Sequence, residues 1–152
     1  MENSIIVTLF YKLVLQVIYM IEAELSKIII DENKDGQIIF LKDKNSERGF
    51  PIVIGMFEAL AIDTKIRDLK IQRPLTHDLL FDVITGVGAS LERVEVTKLE
   101  NDTFFADLVL KNIDGKEVRI DARPSDSIAV AVRTGAPIYV DETVMEQADI
   151  ST

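Results

Sequence analysis

With 152 residues, 47 % of them hydrophobic, the chain is long enough for one domain with a substantial core and short of what two would need. The absence of cysteine and the presence of a single histidine exclude disulfides, thiolate metal sites, a cysteine nucleophile and a multi-histidine zinc centre within one chain. The net charge is −9 without any Lys/Arg block, so there is no basic stripe to supply general nucleic-acid affinity, and any phosphate contact has to be local or bridged by a divalent cation.

The first apolar stretch, SIIVTLFYKLVLQVIYMI (4–21), approaches the length of a membrane span, roughly 20 residues. Lys12 near its centre, which costs about 2.5–3.5 kcal/mol on insertion scales, and Gln16 argue against spanning. Neither a basic leader nor a small-residue cleavage site accompanies it. Residues 1–19 are therefore expected to be an apolar extension that packs on the domain or a partner, or an extended start ahead of Met20, with a membrane anchor as the less favoured alternative, and the protein is expected to be cytoplasmic.

AELSKIII (23–30) and QIIFLKD (37–43) flank the polar turn DENKDG and predict a hairpin, and FPIVIG (50–55) predicts a short buried strand. MFEALAIDTKI (56–66) has helical spacing, with Phe57, Leu60, Ala61 and Ile62 expected on the inward face. THDLLFDVITGVG (76–88) predicts a second helix, with Leu79, Leu80, Val83, Ile84 and Val87 inward and Gly86 and Gly88 ending it. SLERVEVTKL (90–99), TFFADLVLKN (103–112) and VRID (118–121) read as three strands joined by tight turns. PSDSIAVAVRTG (124–135) is a third helix stopped by Gly135, PIYV (137–140) a last strand, and an acidic helical tail closes the chain.

Two halves thus share the order of three strands and a helix. At an ungapped shift of 68 residues Glu24 falls on Glu92, Ile52 on Ile120, Ala61 on Ala129 and Glu58 on Asp126. The reading is a single compact α+β domain of mostly antiparallel sheets built from two duplicated β-β-β-α-like halves.

RPLTHD (73–78) and RPSD (123–126) are the candidate chemistry. Each places an Arg-Pro pair ahead of a hydroxyl residue, Thr76 or Ser125, expected to cap a helix, with an acid, Asp78 or Asp126, in the first turn. The bland reading is local capping, or cross-pairs of Arg73 with Asp126 and Arg123 with Asp78. The functional reading is one cleft in which Arg73, Thr76, Arg123 and Ser125 hold a phosphate at helix N-termini while His77 handles a proton. Asp78 and Asp82 share a helix face and are candidate ligands for Mg²⁺ or Mn²⁺, though such pairs are more often the solvated side of a helix. No phosphate-cradling P-loop, dinucleotide fingerprint or hydrolase elbow occurs, and no organic cofactor is expected.

FPIVIGMFEALAI (50–62), RPLTHDLL (73–80), TFFADLVL (103–110) and DARPSDSIAVAVRTGAPIYV (121–140) together resemble the bifunctional nuclease domain family. The resemblance covers residues 20–145 and leaves 146–152 as a C-terminal tail. It implies a self-associating α+β domain, a dimer or larger, and a nuclease acting on RNA and DNA. Glu58, Arg73, Thr76, His77, Asp78, Arg123, Ser125 and Asp126 occupy the family's motif positions. On that basis Glu58, His77, Asp78 and Asp126 are the candidate catalytic residues, with Asp82 joining the acids around a divalent ion and Arg73 or Arg123 steadying charge. Whether the chain is an enzyme stays open at this level. The competing expectation is a non-catalytic module that binds a small anion or a protein in an Arg73/Arg123 cleft.

Overall fold

A computed structural model describes residue 7 and residues 20–151; the apolar segment 4–21 and the expected boundary at residue 19 fall almost wholly outside them. Among the described residues no helix is long and apolar enough to cross a membrane. The elements run β1 (Met20–Ile29), β2 (Gln37–Asp43), β3 (Gly49–Ile54), α1 (Met56–Ile66), α2 (Thr76–Gly86), β4 (Ser90–Glu100), β5 (Thr103–Lys111), β6 (Glu117–Ala122), α3 (Pro124–Thr134), β7 (Ile138–Asp141) and α4 (Glu142–Ala148). The α+β class holds, but the strands form one sheet rather than several.

That sheet has seven strands in the order β3-β2-β1-β7-β4-β5-β6. Each half contributes an antiparallel meander, and β7 joins the two, antiparallel to β1 and parallel to β4. The inserted strand is what merges two three-stranded units into one sheet. The ranges of β3 and α1, advanced by 68 residues, coincide with those of β6 and α3 (49 to 117, 54 to 122, 56 to 124, 66 to 134), so the duplicated order is a duplicated structure.

Local chemistry explains the turns. Asn101 and Asp102 both have positive φ, 50° and 58°, the conformation that a two-residue hairpin between twisted strands requires. Gly135 ends α3 at φ 73°, where a side chain would be strained. The core packs Ile39, Leu41 and Phe50 of the first half against Val94, Val96, Ile128 and Val130 of the second, with Met145 of α4. The Phe50 and Phe104 rings stack with centroids 5.2 Å apart. Since β3 ends the strand order on one side and β5 lies next to the end on the other, that contact means the sheet curls strongly upon itself.

Several expectations are corrected. On α1 the buried residues are Ala59, Ala61 and Ile62, while Phe57 is 84 % exposed and Leu60 also faces outward. On α2 only His77 and Ile84 are buried; Leu79, Leu80, Val83 and Val87 are exposed. Both helices lie on α3, and each buries only two or three residues, Ala59, Ala61 and Ile62 on α1 and His77 and Ile84 on α2, so most of the larger apolar stripe is left outside. Thr76 and Ser125 are not N-caps. Leu75 and Arg123 hold those positions, Thr76 and Pro124 are already helical, and proline at the first helical position fits because it has no N–H to satisfy. The acidic helical tail, by contrast, is as expected: α4 ends at Ala148, and the residues after it clasp the sheet, Gly49 N–H donating to Asp149 (2.9 Å) and Ile150 N–H to the Gly49 carbonyl (3.0 Å).

Candidate functional site

The N-termini of α1 and α3 meet at one arginine. Arg123, the N-cap of α3, donates from Nε to Asp126 Oδ2 at 2.7 Å and from Nη2 to Glu58 Oε1 at 2.7 Å. Glu58 and Asp126 are the two first-turn acids that the 68-residue repeat superposes, so the duplication delivers equivalent carboxylates to a single guanidinium. The position equivalent to Arg123 in the first half is Gly55, the N-cap of α1. Glu58 folds back over it: a Cβ at Gly55 would lie 2.2 Å from Glu58 Oε2.

His77, in the first turn of α2, places Nε2 2.8 Å from Asp126 Oδ1. A carboxylate only accepts, so this nitrogen carries the hydrogen. The result is a chain His77–Asp126–Arg123–Glu58 spanning three helices. Burial works against the ionised form of Asp126, but the bonds from Arg123 and then His77 outweigh it and hold its carboxyl below the usual range. The hydrogen bonds from Asp126 and Glu58 raise the Arg123 guanidinium further. The Arg123 side chain is still 65 % exposed, and among the described residues its Nη1 has no hydrogen-bond partner.

Asp78 belongs elsewhere. Its Oδ2 accepts the Leu75 N–H at 2.8 Å and its Oδ1 accepts Arg133 Nε at 2.7 Å. Arg133, in the last turn of α3 and almost fully buried, also donates to the carbonyls of Ala129 and Ala61, and so bolts α2 and α1 to α3. Burial raises the Asp78 carboxyl, yet the Leu75 N–H and Arg133 more than compensate and keep it low. The cross-pairs Arg73–Asp126 and Arg123–Asp78 do not form; Arg123–Asp126 and Arg133–Asp78 do. Arg133 escaped the sequence reading because nothing in the spacing of 55 residues marks it as the partner of Asp78.

Arg73 and Thr76 are exposed and do not line the cleft beside Arg123. Asp82 is exposed and makes no side-chain bond among the described residues. Nor do the acids fit a preformed divalent-ion site. Among the described residues no three His, Asp or Glu side chains converge as metal ligands, Asp78 spends both oxygens on Arg133 and Leu75, and Glu58 and Asp126 share a cation already.

Beside Arg123 opens a cleft of about 510 Å³, bounded by β3, by the β4–β5 turn and by the start of α3. Ser125 lines it, is 5 % exposed, and its hydroxyl has no hydrogen-bond partner among the described residues. The first turn of α3 leaves N–H groups without helical acceptors at the same place. Arginine, hydroxyl and helix terminus together are equipped to hold an anion.

An α+β domain with an arginine-bridged pair of acids at the mouth of a cleft is the class so defined. The bifunctional nuclease domain model matches residues 39–152. An uncharacterized protein of Mycobacterium tuberculosis (strain H37Rv) is 39 % identical over 129 residues, 85 % of this chain and 76 % of that protein. Bifunctional nuclease 2 of Arabidopsis thaliana is 30 % identical over 94 residues, 60 % of this chain and 29 % of the plant protein. Bifunctional nuclease 1 of rice (Oryza sativa subsp. japonica) is 24 % identical over 109 residues, 70 % of this chain and 33 % of the rice protein. The chain thus spans about a third of the length of these plant proteins. It belongs to the bifunctional nuclease domain family.

Proposed function

We propose that the chain hydrolyses phosphodiester bonds of RNA and DNA at the mouth of the α3 cleft. The observation that carries this reading is the convergence of Glu58, Arg123, Asp126 and His77 into one bonded chain beside an anion-accepting helix start. Arg123 Nη1 and the α3 N-terminus bind the phosphoryl oxygens and stabilise the charge that grows on them. Glu58 Oε2, which Arg123 leaves free, takes a proton from the attacking water. Water oxygen bonds to phosphorus, the bond from phosphorus to the leaving oxygen breaks, and that oxygen takes a proton from solvent. Asp126 holds Arg123, and His77 holds Asp126; both are positioning residues. The proposed step uses no metal, since Glu58 and Asp126 are already engaged by Arg123 among the described residues. Purified protein is expected to cleave single-stranded RNA and DNA oligonucleotides, and Glu58→Gln and Arg123→Met to lose about 100-fold or more in kcat while remaining folded. An unchanged rate in both variants refutes the assignment, and abolition by EDTA restored only by Mg²⁺ or Mn²⁺ refutes the metal-free route.

A second reading has its own support. One guanidinium neutralises both acids, an arrangement suited to binding an anion without turnover. Saturable uptake of phosphate-bearing ligands by a protein that cleaves none of them favours that module.

The reading includes self-association with a second copy, supported by the exposure of Phe57 on α1 and of Leu79, Val83 and Val87 along and just past α2, each more than half exposed.

A further inference from the structure

Five consecutive residues, Pro51 to Ile54 of β3 and Gly55 just beyond it, line the cleft. Side chains alternate between the faces of a sheet, so consecutive lining residues mean that the backbone edge of β3 borders the space. β3 is the terminal strand, and its register with β2 is unbroken. Its backbone groups therefore alternate between the β2 ladder and the open edge. Gly49 fixes the phase, since its N–H and C=O point away from β2 to Asp149 and Ile150. Residues 51 and 53 share that direction. Pro51 has no N–H to offer, as suits an edge position. Val53 presents both a donor and an acceptor, and neither has a bond outside the sheet among the described residues.

Two residues beyond Val53, about 7 Å along the strand, the cleft reaches Gly55 and the Arg123–Ser125 anion site. Leu99, Phe104 and Ile150 add apolar wall, the Phe104 ring being stacked on Phe50, and Asp102 and Thr103 of the β4–β5 turn also line the space. A ligand for this space has an anion at one end, a flat apolar body, and adjacent donor and acceptor atoms on its rim.

We propose that the cleft holds one nucleotide unit of a single strand, with its phosphate at Arg123 and Ser125 and its base against the Val53 backbone edge and the Leu99–Phe104 wall. The hydrogen-bonding edge of an unpaired base carries the donor and acceptor that a free N–H and C=O match, and an aromatic wall suits its face. The volume of about 510 Å³ admits one nucleotide and no duplex. An extended peptide could pair with the same edge, but it gives no reason for the Ser125 hydroxyl and the Arg123 Nη1 beside it, both unpartnered among the described residues. The inference deepens the nuclease reading and rests on it for the strand, while nucleotide binding stands or falls by itself.

The test is an amide-resolved NMR titration of the full chain with AMP, with inorganic phosphate, and with a neutral capped hexapeptide. AMP is expected to bind saturably and more tightly than phosphate, shifting Val53, Gly55, Phe104 and Ser125. Val53→Pro deletes only the outward N–H and leaves the β2 ladder intact; Ser125→Ala deletes the hydroxyl and keeps the measurement readable should the proline variant fail to fold. Each is expected to weaken AMP about fivefold to tenfold, the effect of one lost hydrogen bond. AMP binding no tighter than phosphate, shifts confined to other surfaces, full affinity in Ser125→Ala, or uptake of the hexapeptide in place of AMP overturns the inference. AMP bound in the cleft of a protein that cleaves no oligonucleotide leaves the inference standing and removes the nuclease reading; cleavage with AMP absent from the cleft does the reverse.

Discussion

Replacing Arg123 with methionine removes one cation from between two carboxylates and keeps most of the aliphatic stem. Glu58 is then left at 15 % side-chain exposure and Asp126 at 25 %, facing each other without a counter-charge. An exposed ion pair contributes about 0.2–1 kcal/mol, whereas stranding a buried charge costs about 3–5 kcal/mol. Arg123 is exposed and its partners are not, so the cost falls between, at about 2 kcal/mol. For a domain of this size that lowers the melting temperature by about 4–8 °C. The effect has a definite pH dependence. Asp126 has its folded pKa depressed, so its contribution is present above the unfolded value of about 3.9 and is lost as pH falls through the folded value. Differential scanning fluorimetry of wild type and Arg123→Met at neutral pH and again below pH ~4 should show the gap closing on acidification. The gap should also close in a Glu58→Gln/Asp126→Asn background, where no charge is stranded. A gap of equal size at both pH values, or one undiminished in that background, refutes the reasoning.

His77→Gln keeps a donor for Asp126 and should retain cleavage within about tenfold, while His77→Ala should lose about 10–100-fold; equal losses in both identify the imidazole itself as the reacting group. Gly55→Ala has no backbone strain to overcome, since φ is −75°, but its Cβ displaces Glu58 from Arg123. It should lower the melting temperature by about 2–4 °C and depress cleavage in an oligonucleotide assay. Arg133→Met leaves Asp78 and two carbonyls without their buried donor and should cost about 3–5 kcal/mol, read by urea unfolding. Phe57→Glu places a charge on the exposed helix face and should shift light-scattering mass from an oligomer to a monomer.

The secondary structure was largely legible in the sequence because its signals are local. Strand alternation, the turn residues at 101–102 and 113–117 and the glycine stop at 135 place the elements to within three residues. The duplication was legible too, since Glu58 on Asp126 was one of the few matched pairs, and the fold turns it into shared contacts with Arg123. What periodicity cannot carry is which stripe of an amphipathic helix faces in. On α1 and α2 most of the apolar stripe faces out, while α3 is met through the Ala61 carbonyl and through His77. Partner choice among charges is equally nonlocal. RPLTHD and RPSD look like twins, yet only the second supplies its arginine to the site, and Asp78 is claimed by Arg133. Four of the candidate residues therefore meet in one chain, Glu58, His77, Arg123 and Asp126, with Ser125 beside them, while Arg73, Thr76, Asp78 and Asp82 do not join it.

A scaffold with approximate two-fold symmetry would offer a linear ligand two equivalent ways to lie across its axis. Here the equivalence is broken at one pair of positions: Arg123 caps one helix and Gly55 caps its counterpart. Only one end of the axis carries a cation, although both ends bring an acid. A polymer with a chemical direction then has one orientation that places its charge correctly and one that does not. The absence of a side chain at Gly55 gives the duplicated frame a polarity that neither half possesses by itself.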